Sequence, residues 1–247
     1  EFRRVLFRSD QLRTDIDADT IIGIGIAATG VVEDGVIRES TMLGWRDLDL
    51  RGMLERRFGF PVTISNDVVC SMLAERFFGH GDKSMLFIKI DRGIGAATLI
   101  DDVTVIGQNH AGGEIGHISL DPESGVLCPC GKRGCLETMV TSPVIRERIR
   151  RASTPEEQLD IIRSCGEQLA AALAMPIGLL DINDICVYGP PDIVNAAFLE
   201  ATQRRVDMVS SSKFHKHTSV RRCQVGSDIA LRGSAIDVVH HYIENGH

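Results

Sequence analysis

Between Gly113 and Glu137 the chain reads GEIGHISLDPESGVLCPCGKRGCLE, which places His117 ahead of Cys128, Cys130 and Cys135. A Cys-x-Cys-x4-Cys run with an upstream histidine offers four soft-to-borderline donors. Zinc prefers four such N and S ligands in a tetrahedron, and a set closed by four protein ligands is structural rather than catalytic. Gly131 and Gly134 let the chain turn tightly between ligands, and Pro129 restricts it between two thiolates. Taken singly, each residue reads as an inert buried thiol or a satisfied histidine. Four together, in a Gly-rich and Pro-broken loop, point to structural zinc. The other cysteines, Cys70, Cys165, Cys186 and Cys223, stand in apolar runs and read as core.

Asn66 and Asp67 end a strand-like run ahead of a predicted helix, and by themselves they read as its N-cap. Glu114 and Glu137 bracket the cysteine loop. A third stretch, DRGIGAA (Asp91–Ala97), is a Gly turn leading into a strand, and its lone GIG is by itself a poor phosphate signal. The strand ICVYG runs into Pro190-Pro191, which offer no N–H.

These residues need elements to hold them. TIIGIGIAATG (Thr20–Gly30) predicts a buried strand, and VVEDGVI (Val31–Ile37) a hairpin turning at Asp34-Gly35. Asp49–Gly59 predicts a helix with Leu50, Met53, Leu54 and Phe58 on its apolar face. Strands follow at Pro61–Asp67, Ser84–Ile90, the run after Asp91 up to Ile100, and Asp184–Gly189, with a helix at Val68–Gly79. A helical region from Ser142 to Leu180 breaks near Thr154-Pro155, and the C-terminal SDIALRGSAIDVVHHYIENG is an amphipathic helix. Alternating strands and helices give an α/β class.

Bulk properties narrow the function. The chain has 247 residues, is 43% hydrophobic and carries a net charge of −7. The acidity argues against a nucleic-acid surface on this segment. No apolar run has a membrane-spanning length and no secretory leader is visible. Seven cysteines in a chain of this size fit a reducing cytoplasm. The opening EFRRVLFRS resembles what cloning or adapter DNA encodes, so residues 1–9 are set aside as a scar and the native chain is expected to begin further upstream. Ser210–Arg222 (SSSKFHKHTSVRR) is basic but has little aromatic interleaving, and it reads as a solvated loop.

GGEIGH with CPCGKRGCLE resembles the signature of the ROK family of repressors, open reading frames and sugar kinases. GIGIAATGVVEDGVI, FPVTISNDV and GIGAA fall in that family's order. The resemblance runs from about Thr20 to the end. It implies a two-lobed actin-like (ribonuclease H-like) sugar-kinase fold with sugar in the interlobe cleft and zinc bracing one wall. The smaller lobe, incomplete, would comprise residues 10–78 plus 227–247, and the larger lobe residues 79–226. By the same match His117, Cys128, Cys130 and Cys135 hold zinc, and Gly30, Asn66, Asp67, Glu114, His117 and Glu137 meet the sugar. In the family's kinases the aspartate matching Asp67 is the general base, and ATP and magnesium are cofactors. Those kinases usually show Gly-Thr-Gly where Asp91, Arg92, Gly93 and Gly95 stand, so the phosphate loop here is degenerate.

The resulting expectation is the sugar-sensing and oligomerising part of a cytoplasmic ROK-type transcriptional regulator, a homodimer or homotetramer. It would contact DNA only through an upstream domain and would not bind membranes. The alternative is an ATP-dependent ROK sugar kinase of the glucokinase or N-acetylhexosamine kinase type.

Overall fold

A computed structural model describes residues 20–210 and 217–244. The residues set aside as a scar lie outside this range, as does part of the basic Ser210–Arg222 stretch. The chain divides into two compact units. One holds the residues up to Cys70 together with those from Ala230, and the other is Ser71–Ile229.

In the first unit the run after Thr20 forms β1 (Ile24–Ala28), paired in parallel with β5 (Val62–Asn66). The Asp34-Gly35 turn joins β2 (Val31–Glu33) to β3 (Val36–Ser40), with both turn residues at positive φ as such a turn requires. β4 (Trp45–Leu48) extends this to a three-stranded antiparallel sheet. Helix α1 (Leu50–Phe58) starts where the Asp49 carboxylate accepts the Gly52 N–H and stops at left-handed Gly59. Leu50, Leu54 and Phe58 pack with Ile37, Val62 and Ile64, whereas Met53, expected on the same face, is exposed. Helix α2 (Asp67–Phe78) begins in this unit and ends in the other.

The second unit is built on a five-stranded mixed sheet in the order β10-β9-β6-β7-β8. β6 (Met85–Ile90) turns through Asp91–Gly93 into antiparallel β7 (Ile94–Ile100), and β8 (Val103–Val105) forms an edge. β9 (Asp184–Tyr188) lies parallel to β6, and β10 (Ser219–Arg222) parallel to β9. The solvated loop expected at Ser210–Arg222 is therefore corrected over its last four residues, which form a strand.

Short α3 (Glu137–Val140) leads into α4 (Ser142–Arg151). The break at Thr154 falls where expected, because the Thr154 hydroxyl caps α5 (Pro155–Leu180) by accepting the Glu157 N–H. Helix α6 (Ala196–Ser210) packs on α5, and their apolar faces with β6, β7 and β9 make the core around Phe198, Leu169 and Ile185. Helix α7 (Ile229–Glu244) closes the chain. No helix among the described residues is long and apolar enough to cross a membrane.

Candidate metal centre and ligand-binding residues

The cysteine loop is held by a small backbone frame. Cys128 N–H donates to the Lys132 carbonyl and Gly131 N–H to the Cys128 carbonyl, a tight turn that needs Gly131 at φ 89°. Gly134, at φ 63°, passes so close to Asp121 that a Cβ would overlap its carbonyl. Bridges Ser119–Cys135 and Leu127–Arg133 fasten the loop's two sides. His117 ends a single 3-10 turn (Ile115–His117), and the Lys132 ammonium donates to its carbonyl.

This frame brings all four expected metal ligands together. One donor atom each from His117, Cys128, Cys130 and Cys135 lies within 4.8 Å of the others. Cys128 Sγ is 3.7 Å from His117 Nδ1 and Cys130 Sγ is 3.6 Å from Cys135 Sγ. A tetrahedron with metal–sulfur bonds of about 2.3 Å has edges of about 3.8 Å, so the set fits zinc.

The protons on the thiols answer to local causes. The Lys132 backbone N–H draws exposed Cys130 down to about 7. Burial, helped by the Glu137 carboxylate, pushes Cys128 up to about 12. Burial also raises Cys135.

Glu137 faces this centre. Its Oε1 accepts from Cys128 Sγ at 2.9 Å and lies 3.3 Å from His117 Nδ1. Glu114 stands on the histidine's other side, its Oε2 4.0 Å from Nε2 and its side chain half exposed. Of the ligand-binding residues expected from the sequence, Glu114, His117 and Glu137 are thus one cluster of the second unit.

Gly30, Asn66 and Asp67 belong to the first unit. Asn66 Nδ2 donates to the Gly30 carbonyl at 2.9 Å, while its Oδ1 accepts the Val68 and Val69 N–H groups at 2.8 and 3.3 Å. The cap considered for Asn66 is real. The same side chain fixes the Gly30 turn, where φ is 98° and a Cβ would overlap the Glu39 carbonyl. Asp67 opens α2.

The degenerate phosphate turn is closed on itself: Asp91 N–H donates to the Gly93 carbonyl, and the Asp91 carbonyl accepts the Ser142 N–H. Asp91 and Arg92 are exposed, and Gly95 lies within β7. At the carboxyl ends of β6, β9 and β10 a cavity of about 400 Å³ is lined by Asp91, Tyr188, Pro190, Pro191, Arg222 and Cys223, among others. Open α/β sheets place ligands at such strand ends. Here the Pro190 carbonyl accepts the Ile193 and Val194 N–H groups, so these donors are consumed by the turn itself.

The family model of ROK proteins matches residues 11–239. The chain belongs to the ROK family. Its ROK relatives include both kinases and regulators. It is 40% identical over 126 residues to a glucokinase of Halalkalibacterium halodurans, covering 49% of this chain and 38% of that protein. It is 30% identical over 135 residues to the xylose repressor of Caldicellulosiruptor bescii, covering 53% of this chain and 34% of the repressor. These matches span between about a third and two fifths of those curated relatives.

Among solved structures, a ROK transcriptional regulator homologous to the E. coli MLC protein aligns with a TM-score of 0.84 at 24% identity, over 97% of this chain and 68% of that one. A Streptomyces griseus ROK glucokinase in complex with glucose and AMPPNP aligns with a TM-score of 0.77 at 24% identity, over 89% of this chain and 82% of that one. The fold is the family's two-lobed, actin-like α/β fold.

Sequence reading missed one polar cluster. Cys186 and Cys223 are buried as expected, yet they stand beside the buried Glu75 carboxylate and Arg221 rather than in an apolar core.

Proposed function

We propose that this chain is the sugar-sensing part of a ROK-type transcriptional regulator, binding a hexose or derivative without phosphorylating it. In this reading His117, Cys128, Cys130 and Cys135 hold a structural zinc, which braces the loop and supplies no chemistry to the sugar. His117 Nδ1 faces the thiols and Nε2 faces Glu114. Metal on Nδ1 would leave Nε2 to meet a sugar hydroxyl, a division of labour common among metal-bound histidines. Glu114 and Glu137, and Asp67 on the turn that Asn66 holds to Gly30, would accept hydrogen bonds from sugar hydroxyls. DNA contact and assembly into a homodimer or homotetramer belong to the same proposal.

The observation that carries the reading is the state of the phosphate site. Asp91 sets a carboxylate at the turn after β6, and Pro190-Pro191 remove donors from the turn after β9. Nucleotide phosphates need donors and neutralising charge at those two places. The second reading, an ATP-dependent sugar kinase with Asp67 as general base, draws on the 40% identity to a glucokinase.

Calorimetric titration of the intact natural protein with hexoses, N-acetylhexosamines and pentoses tests the sugar site. Saturable binding to one class, lost in Asp67→Asn, is the expected result. No binding to any of them would remove the sensing role.

A further inference from the structure

Among the described residues a second group of metal-ligating side chains stands outside the cysteine loop. Glu75 of α2, Cys186 of β9 and Cys223 just beyond β10 each present a donor atom within 4.8 Å of the others, and all three are buried. Cys223 Sγ donates to Glu75 Oε2 at 3.0 Å. The carboxylate is rigidly aimed. Its Oε1 accepts from Arg221 Nη1 at 2.6 Å, and its Oε2 accepts the Gln224 and Val225 N–H groups at 3.0 and 3.2 Å. Arg221 is itself held by Asp184, through Nε at 2.7 Å and Nη2 at 2.9 Å. Outer hydrogen bonds of this kind orient the ligands of metal sites.

The two thiols are not placed to form a disulfide. Arg221 is the register partner of Cys186, so Cys223 lies two residues further along the neighbouring strand. With strands about 4.8 Å apart and a rise of about 3.3 Å per residue, the two Cα atoms are about 8 Å apart. Disulfides need about 4.4–6.8 Å. The sulfurs lean toward each other and toward a carboxylate without a bond to make.

Charge also favours a cation. With both thiols protonated, Glu75, Asp184 and Arg221 together carry one net negative charge. A divalent cation entering as M²⁺ + 2 RSH → M(SR)₂ + 2 H⁺ leaves that net charge unchanged, so burial of the ion adds no charge to the interior. Two sulfurs and one oxygen select a thiophilic ion over magnesium or calcium. Cys223 is among the residues that line the cavity at the strand ends, which gives the ion a path in and the protons a path out. Three protein ligands completed by a water is a familiar zinc arrangement.

We propose that Glu75, Cys186 and Cys223 form a second, buried site for a thiophilic divalent cation of the zinc type, reached through the cavity at the carboxyl ends of β6, β9 and β10. The site is independent of the sugar-sensing reading.

The test is zinc stoichiometry of the reduced, intact protein by competition with a chromogenic chelator, repeated with cadmium to read thiolate charge-transfer absorbance. The wild type should bind about two equivalents, against the single one that the loop alone accounts for. Cys130→Ser, which disables the loop at an exposed position, should keep one equivalent and its thiolate band. Cys223→Ser should lose the second equivalent and keep the first. One equivalent in the wild type with none in Cys130→Ser overturns the proposal, as does a second equivalent that survives Cys223→Ser. If Cys223→Ser does not fold, the comparison of wild type with Cys130→Ser still decides.

Discussion

Replacing Arg221 with methionine removes the cation from between two carboxylates. Arg221 is largely buried, Glu75 is fully buried and Asp184 nearly so. Removing one partner of a buried ion pair costs about 3–5 kcal/mol, because the other is left as an uncompensated charge. Glu75 keeps the Cys223 thiol and two backbone N–H donors, which places the expected loss at about 3 kcal/mol, the low end of that range. For a chain of this size that is a fall in Tm of about 6–12 °C. Urea unfolding followed by circular dichroism measures it, and a cycle with Asp184→Asn should return a coupling of at least about 1 kcal/mol.

The loss should also depend on pH. Burial raises Glu75, but the Cys223 thiol, Arg221 and the Gln224 and Val225 N–H groups outweigh it and hold the carboxyl below its ordinary value. Stability from a carboxylate depressed in this way is present above its unfolded value of about 4.3 and is lost as pH falls through the folded one. Without Arg221 less of that stability exists, so the gap between variant and wild type narrows as the solution is acidified. A loss below about 1 kcal/mol at neutral pH, typical of an exposed pair, or a gap that widens in acid, refutes the reasoning.

Other outcomes follow from the same geometry. Cys130→Ser should remove one equivalent of zinc and lower the melting temperature of the metal-loaded protein while leaving that of the metal-stripped protein unchanged, by differential scanning fluorimetry. Glu114→Gln should weaken sugar affinity about tenfold by calorimetry, the effect of losing about 1–2 kcal/mol of charge-assisted hydrogen bonding, with little change in Tm. Gly233→Ala should destabilise by about 3 kcal/mol in urea, because its Cβ would overlap the backbone carbonyl of Cys70. Gly178→Ala, also within a helix but with open space where the Cβ would go, should instead stabilise by about 0.5–1 kcal/mol.

The cysteine loop was legible because its chemistry is local: three thiols and two glycines within eight residues leave few ways to fold, and His117 lies close upstream. The hairpin at Asp34-Gly35 and the helix break near Thr154-Pro155 were legible for the same reason. Helix α6 carried a usable signal, with Phe198, Ala201, Thr202 and Val206 buried at helical spacing and Asn195 capping its start by accepting the Phe198 N–H at 3.2 Å, and it went unread because an asparagine soon after Pro190-Pro191 reads equally as a turn residue. β4 and β8 are short and half exposed, so no alternating pattern marks them. β10 hides behind its own arginines. SVRR reads as solvent-facing charge until Arg221 is seen against Glu75, 146 residues away in sequence. An ion pair of that separation leaves no trace in a local pattern.

The central claim is that a sugar is bound and not phosphorylated. The most direct measurement is a coupled ADP-release assay on the intact natural protein with ATP and magnesium, run at saturating sugar beside calorimetry on the same sample. The account predicts measurable sugar binding with no ADP release above the sugar-free rate. Turnover within the about 1–10³ s⁻¹ of ordinary enzymes, abolished by Asp67→Asn, would contradict it and make the protein a kinase.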